Sequence, residues 1–133
     1  MDGSRPAAAP VRVLIVDDYL PFREVARELI TAASGFEWIG EASCGEEAIG
    51  EVERLRPDLV LMDVRMPGIG GVEAARQIGS RGLRAIVVLI TAEEPPSCAD
   101  VGTVAEVVPK RRLSGAVLKR LWERYGCRQP ANC

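Results

Sequence analysis

Histidine is absent from the 133 residues of this chain, and no apolar run approaches the roughly 18 residues that a membrane span requires. The chain therefore cannot donate a phosphoryl group from a phosphohistidine of its own, and it lacks the side chain that proteins use most often to bind transition metals. The first residues do not show the charged, apolar and small-residue pattern of a secretion signal. These absences predict a cytoplasmic protein without a membrane segment.

Cysteine is present, but its spacing does not predict a zinc site. The chain has Cys44, Cys98, Cys127 and Cys133, which lack the short paired spacing of zinc ligands. In a reducing cytosol we expect free thiols, and a redox pair between the last two cysteines is the alternative.

The size of the chain allows one domain. With 133 residues, 47% hydrophobic and 27% charged, it can bury one sizeable core but has no room for a second domain of ordinary size. We expect a flexible leader over residues 1–10, a single domain over residues 11–125 and a disordered tail over residues 126–133.

Charge is distributed unevenly along the chain. Residues 1–108 carry ten Lys and Arg against eighteen Asp and Glu, whereas residues 109–133 carry seven against one. The basic end is interpreted as the solvated face of an amphipathic helix or as a docking surface for an acidic protein. Nucleic-acid binding is disfavoured because the aromatic residues of this end, Trp122 and Tyr125, fall on its apolar stripe.

Five short apolar runs predict strands. They are β1 (Val11–Val16), β2 (Phe36–Ala42), β3 (Leu59–Met62), β4 (Ala85–Ile90) and β5 (Val104–Val108). Segments with helical spacing of apolar residues separate several of them: α1 (Phe22–Ile30), α2 (Ala48–Leu55), α3 (Val72–Ile78) and a last helix over Val117–Tyr125. Strands alternating with helices predict an α/β fold with a parallel sheet and right-handed crossovers.

Two helix starts carry a capping signal. Pro21 suits the first turn of α1, where a missing N–H costs nothing. Ser43 and Glu46 have the spacing of a capping box before α2, and Pro57 prevents that helix from running into β3.

Polar side chains follow four of the strands where each one ends. Asp17 and Asp18 follow β1, Asp63 follows β3, Thr91 follows β4, and Lys110 follows β5 and Pro109. Carboxylates that converge on one sheet edge repel one another unless a hard cation lies among them, and Mg²⁺ is the natural candidate.

Each of these residues also has a simpler interpretation. An Asp after a strand is often a turn or cap residue, Lys110 precedes two further cations and suits a solvated surface, and Thr91 has Glu94 at capping-box spacing.

In this order the residues resemble the receiver domains of two-component response regulators. The match runs from about Val11 to Tyr125, and its residues are Val13–Asp18, Arg23, Gly40–Ala42, Gly45–Ala48, Pro57–Asp63, Met66–Gly68, Gly71, Thr91, Ala92 and Lys110. The resemblance implies a flavodoxin-like, doubly wound, five-stranded parallel sheet with strand order 2-1-3-4-5. The part before Gly71 is most like receivers that precede a helix-turn-helix domain. No such domain follows here, so we expect a stand-alone receiver.

The resemblance also implies the chemistry. Asp63 would accept a phosphoryl group from the phosphohistidine of a sensor kinase or phosphotransfer protein, or from a small phosphodonor, with Mg²⁺ as cofactor. Asp18 would bind the metal directly, Asp17 would position it through water, and the backbone carbonyl of Arg65 would add a ligand. Lys110 would supply a second positive charge, and the Thr91 hydroxyl would bond a phosphoryl oxygen.

The chain departs from the family pattern between Thr91 and Lys110. This segment spans nineteen positions, about one helical turn fewer than is usual in the family, and Pro95 and Pro96 interrupt its start. We therefore expect a shortened α4 confined to residues 97–102, and the last helix is α5. Val107 stands where signalling receivers usually have an aromatic residue, so the usual coupling of threonine to an aromatic ring is lost.

Two loop charges flank the expected phosphoryl position. Arg65 lies two residues after Asp63, and Glu93 lies two residues after Thr91. They are interpreted either as a pair that controls hydrolytic water or as two solvated charges.

Two classes of function follow. The first is a phosphoacceptor switch, a monomer or weak dimer, that modifies only itself and changes its affinity for a protein partner through the α4-β5-α5 face. The second is an interaction module with this fold and weak or no phosphorylation. A phosphatase acting on outside substrates is a poorer interpretation, because no substrate pocket is recognisable.

Overall fold

A computed structural model describes residues 9–92 and 104–126. Five parallel strands form one sheet in the order β2-β1-β3-β4-β5, with helices on both faces. The strands are β1 (Val11–Val16), β2 (Phe36–Ala42), β3 (Leu59–Asp63), β4 (Ile86–Thr91) and β5 (Glu106–Pro109). The helices are α1 (Leu20–Ala32), α2 (Gly45–Leu55), α3 (Gly70–Ser80) and α5 (Gly115–Tyr125), with a 3₁₀ turn over Lys110–Arg112. The predicted doubly wound sheet and its strand order are confirmed.

The two faces of the sheet bury separate halves of the core. On β1, Val13 and Ile15 face a cluster completed by α1 and α5, while Leu14 and Val16 face a cluster completed by α2 and α3. Successive strand residues point to opposite faces, so a strand covered on both sides must be apolar throughout. The central strands β3 and β4 are buried at every residue for this reason.

The start of α2 corrects one detail of the predicted cap. Ser43 and Glu46 do not form the capping pair; the backbone N–H and hydroxyl of Ser43 donate to Oε1 of Glu47, at 2.5 and 3.0 Å. The helix begins at Gly45 with Cys44 as its N-cap, one residue later than a Ser43 cap requires. The carboxylate that reaches back therefore lies one residue further along the chain. Pro21 occupies the first turn of α1 as predicted.

The apolar stripe of α1 is narrower than its spacing predicts. Ala26 and Ile30 are buried, whereas Val25 is 58% exposed. Tyr19 and Leu20, at the start of the same helix, are 62% and 50% exposed. Apolar spacing marks a broad face of a helix, but the sheet beneath covers only its centre.

Several predictions fall outside the described residues. They concern the leader over residues 1–8, the tail over residues 127–133, the shortened α4 over residues 97–102, the partners Glu93 and Glu94, and the cysteines at 98, 127 and 133. Cys44 is a free thiol, as expected. None of the helices in the described part of the chain is long and apolar enough to cross a membrane.

Candidate metal centre

The carboxyl ends of the central strands bring the predicted acidic residues together. One carboxylate oxygen from each of Asp17, Asp18 and Asp63 lies within 4.8 Å of the other two. Asp17 follows β1, and Asp63 is the last residue of β3, the neighbouring strand. Because adjacent parallel strands end at the same edge, residues far apart in sequence meet there. Thr91 ends β4 at this edge and is buried.

Asp17 is fully buried, and its two carboxylate oxygens have different surroundings. Oδ1 accepts a hydrogen bond of 2.9 Å from the backbone N–H of Tyr19. Oδ2 forms a close ion pair with Nζ of Lys110, at 2.6 Å. The same ammonium lies 3.6 Å from Oδ2 of Asp63, so two largely buried carboxylates share one cation, and the pocket favours a further one.

Asp63 has an unfavourable environment for its negative charge. The pKa of its carboxyl is raised to about 6 from an ordinary value of 3.8, mainly by burial and secondly by the nearby charge of Asp17. Lys110, with Nζ 3.6 Å from Oδ2, only partly offsets this rise. The backbone N–H of Arg65 donates to Oδ1 over a long 3.4 Å. Without a further cation, the pocket holds more negative charge than its own groups neutralise.

The donor set fits a small hard cation. Carboxylate oxygens are the preferred ligands of Mg²⁺, which is commonly bound by one or two carboxylates together with water. Asp18 is exposed, so its carboxylate faces solvent and stays accessible to a hydrated ion. Asp17 and Asp63 share one ammonium, and the pKa of Asp63 is raised, so a divalent cation would relieve the repulsion in this pocket. The residues present therefore fit the metal that the sequence predicts.

Lys110 reaches this pocket from the end of β5, the outermost strand on one side of the sheet. It follows Pro109, the last residue of β5, and begins the short 3₁₀ turn. Its side chain is only 17% exposed and contacts both Asp17 and Asp63. The solvated surface lysine considered from the sequence is therefore wrong as a description of its environment.

Arg23 and Gly71 fix the backbone around the acidic residues. Arg23 donates from its guanidinium to the Asp17 carbonyl at 2.6 Å and to Glu41 at 3.1 Å, which ties α1 to the ends of β1 and β2. At Gly71, an added Cβ would lie 2.2 Å from the Asp63 carbonyl oxygen. The N–H of Gly71 donates to the carbonyl of Val64 at 2.9 Å. Both residues belong to the sequence resemblance, but their contacts depend on a tertiary approach that no local pattern encodes.

Comparison with known proteins agrees with this geometry. The family model described as the response regulator receiver domain matches residues 13–109. Response regulator GacA from Pseudomonas aeruginosa is 38% identical over 87 residues, which cover 64% of this chain and 41% of GacA. The chain therefore aligns with less than half the length of that relative.

Solved structures give the same result. The signal receiver domain of the putative response regulator NarL from Mycobacterium tuberculosis superposes with a TM-score of 0.82 at 27% identity, covering 90% of this chain and 98% of that one. A CheX–CheY complex with BeF₃ and Mg²⁺ from Borrelia burgdorferi matches with a TM-score of 0.75 at 28% identity, covering 88% and 90%. This chain belongs to the response regulator receiver domain family.

Proposed function

We propose that this receiver accepts a phosphoryl group on Asp63, from the phosphohistidine of a sensor kinase or phosphotransfer protein, with Mg²⁺ as cofactor. The observation that carries the proposal is the meeting of three carboxylates within 4.8 Å at a buried strand end, with the Lys110 ammonium in contact with two of them. Phosphoryl transfer needs a positioned nucleophile and cations around the phosphoryl oxygens, and little other covalent chemistry from the protein.

The acidic residues would have different roles. Asp63 would supply the attacking oxygen and also bind the metal. Asp18 would bind the metal directly, Asp17 would position it through water, and the Arg65 carbonyl would add a further ligand. Mg²⁺, when bound, would neutralise charge on the phosphoryl oxygens and would allow the carboxylates of Asp17, Asp18 and Asp63 to remain ionised close together.

Lys110 and Thr91 act on the phosphoryl group itself. In the transfer step, an Asp63 oxygen forms the new bond to phosphorus as the bond to the donor nitrogen or oxygen breaks. Nζ of Lys110 lies 3.6 Å from Oδ2 of Asp63, close enough to stabilise the negative charge that develops on the phosphoryl oxygens. The Thr91 hydroxyl, buried at the end of β4, donates to one of these oxygens and so links phosphorylation to the β4 end.

Two of the similar proteins support this assignment. The CheY neighbour was solved with BeF₃ and Mg²⁺, and relatives such as GacA are named response regulators. For this chain we propose a cytoplasmic monomer or weak dimer that acts on no outside substrate. It changes its affinity for a protein partner through the α4-β5-α5 face.

A second function is favoured by one residue of β5. Val107 packs with the core cluster on the α2 and α3 side of the sheet, where it offers no ring to turn inward. The alternative is therefore an interaction module whose partner binding does not depend on phosphorylation.

Intact mass separates the two functions. We expect the chain, incubated with Mg²⁺ and either acetyl phosphate or phosphoramidate, to gain the mass of one phosphoryl group. Asp63→Asn removes the nucleophile and should abolish the gain. Asp58→Asn is the matched control, because it changes a carboxylate at the opposite edge of the sheet and should leave the gain intact. No gain with either donor would favour the interaction module.

A further inference from the structure

The Lys110 ammonium has a third neighbour besides the two carboxylates. Nζ lies over the ring of Phe22, 4.6 Å from the ring centroid, while it is 2.6 Å from Oδ2 of Asp17 and 3.6 Å from Oδ2 of Asp63. An ammonium within about 6 Å of the face of an aromatic ring is attracted to it, more strongly when water is excluded. The Lys110 side chain is 17% exposed, so most of its water has been removed.

The proposed reaction would change two of these three neighbours, the carboxylates, but not the ring. Asp17 would share its charge with a metal ion, and Asp63 would carry a phosphoryl group. Both carboxylates therefore change as partners of the ammonium during the reaction. The ring of Phe22 is neutral, binds no metal and belongs to α1, where it packs against the core cluster beneath the helix. Its attraction for the ammonium therefore does not depend on the charge of either carboxylate.

We infer that Phe22 is a positioning residue for Lys110, whose ring face holds the ammonium at the acidic pocket while its carboxylate partners are exchanged. The contribution to phosphorylation rests on the proposed function, whereas the ring contact stands independently of it. An aliphatic side chain at position 22 would fill the same space against the core but would not attract a cation.

Lysine NMR tests the ring contact directly in the metal-free, unphosphorylated protein. The chain has two lysines, and Lys119 lies exposed on α5, so it serves as an internal reference. With isotope-labelled lysine, we expect the ring current to shift the Lys110 ε-methylene signal upfield of the Lys119 signal. Phe22→Leu should move it toward the Lys119 position, and Phe22→Tyr, which keeps a ring, should retain the shift.

Phosphorylation kinetics test the consequence. At saturating Mg²⁺ we expect Phe22→Leu to lower the rate of phosphoryl uptake from phosphoramidate about fivefold, the size of a partly desolvated cation–π contact. Phe22→Tyr should stay within about twofold of the original rate, since its ring face persists. Phe36→Leu is the matched control, because it removes the chain's other phenylalanine from the same core cluster without touching Lys110.

The outcomes are distinguishable. If the original chain takes up no phosphoryl group, the proposed function fails, and the lysine spectrum still decides the ring contact. A Lys110 signal that coincides with Lys119 in the original chain, or that ignores Phe22→Leu, overturns the inference. An equal rate loss in Phe36→Leu and Phe22→Leu would assign the effect to core packing and overturn it as well.

Discussion

Aspartates and basic residues lie at both the amino edge of the sheet, where its strands begin, and the carboxyl edge, where they end. The contacts that these residues make differ between the two edges. At the amino edge, Asp58 and Arg12 lie where β3 and β1 begin; at the carboxyl edge, Asp63 and Asp17 lie where these strands end, with Lys110 between them. At both edges an aspartate contacts a basic residue, through the backbone N–H of Arg12 at the amino edge and through the Lys110 ammonium at the carboxyl edge. They differ in how far the backbone satisfies the charges.

At the amino edge, hydrogen bonds with the backbone engage both Asp58 and Arg12. Oδ2 of Asp58 accepts the N–H of Arg12 at 2.9 Å, and the N–H of Asp58 donates to the carbonyl of Arg12 at 2.9 Å. The Arg12 guanidinium donates to the carbonyls of Leu55 and Arg56, at 2.8 and 2.7 Å. These carbonyls end α2 and would otherwise lack intrahelical partners. This edge stabilises the junction of two strands and a helix.

At the carboxyl edge the carboxylates outnumber the cations that contact them. Asp17 and Asp63 share the ammonium of Lys110, and the pKa of Asp63 is raised by burial and by Asp17. From this difference between the edges we expect the acidic pocket to lower the stability of the metal-free protein. Sites that are organised for a ligand commonly have this property.

The largest expected effect follows from removing the Asp63 charge. At pH 8 in the presence of a chelator, we expect Asp63→Asn to raise the free energy of unfolding by about 2–3 kcal/mol, since one pKa unit corresponds to about 1.4 kcal/mol. Urea denaturation measures this difference. A variant less stable than the original chain would mean that the carboxylates of this edge are as well satisfied as Asp58.

A smaller effect is expected from pH. The folded-state pKa of Asp63, about 6, lies above its unfolded value, so the folded state holds a proton that the unfolded state has released between these values. The unfolding free energy therefore falls as pH rises through this window. We expect the stability advantage of Asp63→Asn to be about 1.5 kcal/mol smaller at pH 5 than at pH 8. A difference independent of pH would contradict the raised pKa.

The smallest effect is expected at the amino edge, and with the opposite sign. Asp58→Ala removes the acceptor of the Arg12 N–H, which should lower the unfolding free energy by about 1 kcal/mol. Phosphoryl uptake at Asp63 should be unchanged. If Asp58→Ala stabilised the protein instead, the contrast between the two edges would disappear.

The sequence predicts those features that depend on continuous local patterns. Apolar runs such as β3 and β4 specify buried strands, and parallel strands share an edge, so the meeting of Asp17, Asp18 and Asp63 followed from where the runs stop. The boundaries shifted slightly: β5 begins at Glu106 rather than at Val104.

Several contacts of single side chains could not be predicted from the sequence pattern. The pattern chose Glu46 as capping partner, whereas the contact is made by Glu47. Val25 fits the apolar spacing of α1, yet the structure exposes it. The contact between Phe22 and Lys110 has no signal in the sequence, because no spacing rule connects α1 to a residue 88 positions further along the chain. Such contacts are decided by tertiary distances and rotamers rather than by periodicity.

The tight approach of Gly71 to Asp63 has a mechanical consequence. An added Cβ would lie 2.2 Å from the Asp63 carbonyl oxygen, and the Gly71 N–H is bonded to Val64 at 2.9 Å, so no slack separates the end of β3 from the first turn of α3. A displacement of the main chain at Asp63 would therefore also displace the first turn of α3. If Asp63 is phosphorylated as proposed, this contact offers a route to α3 that requires no aromatic side chain.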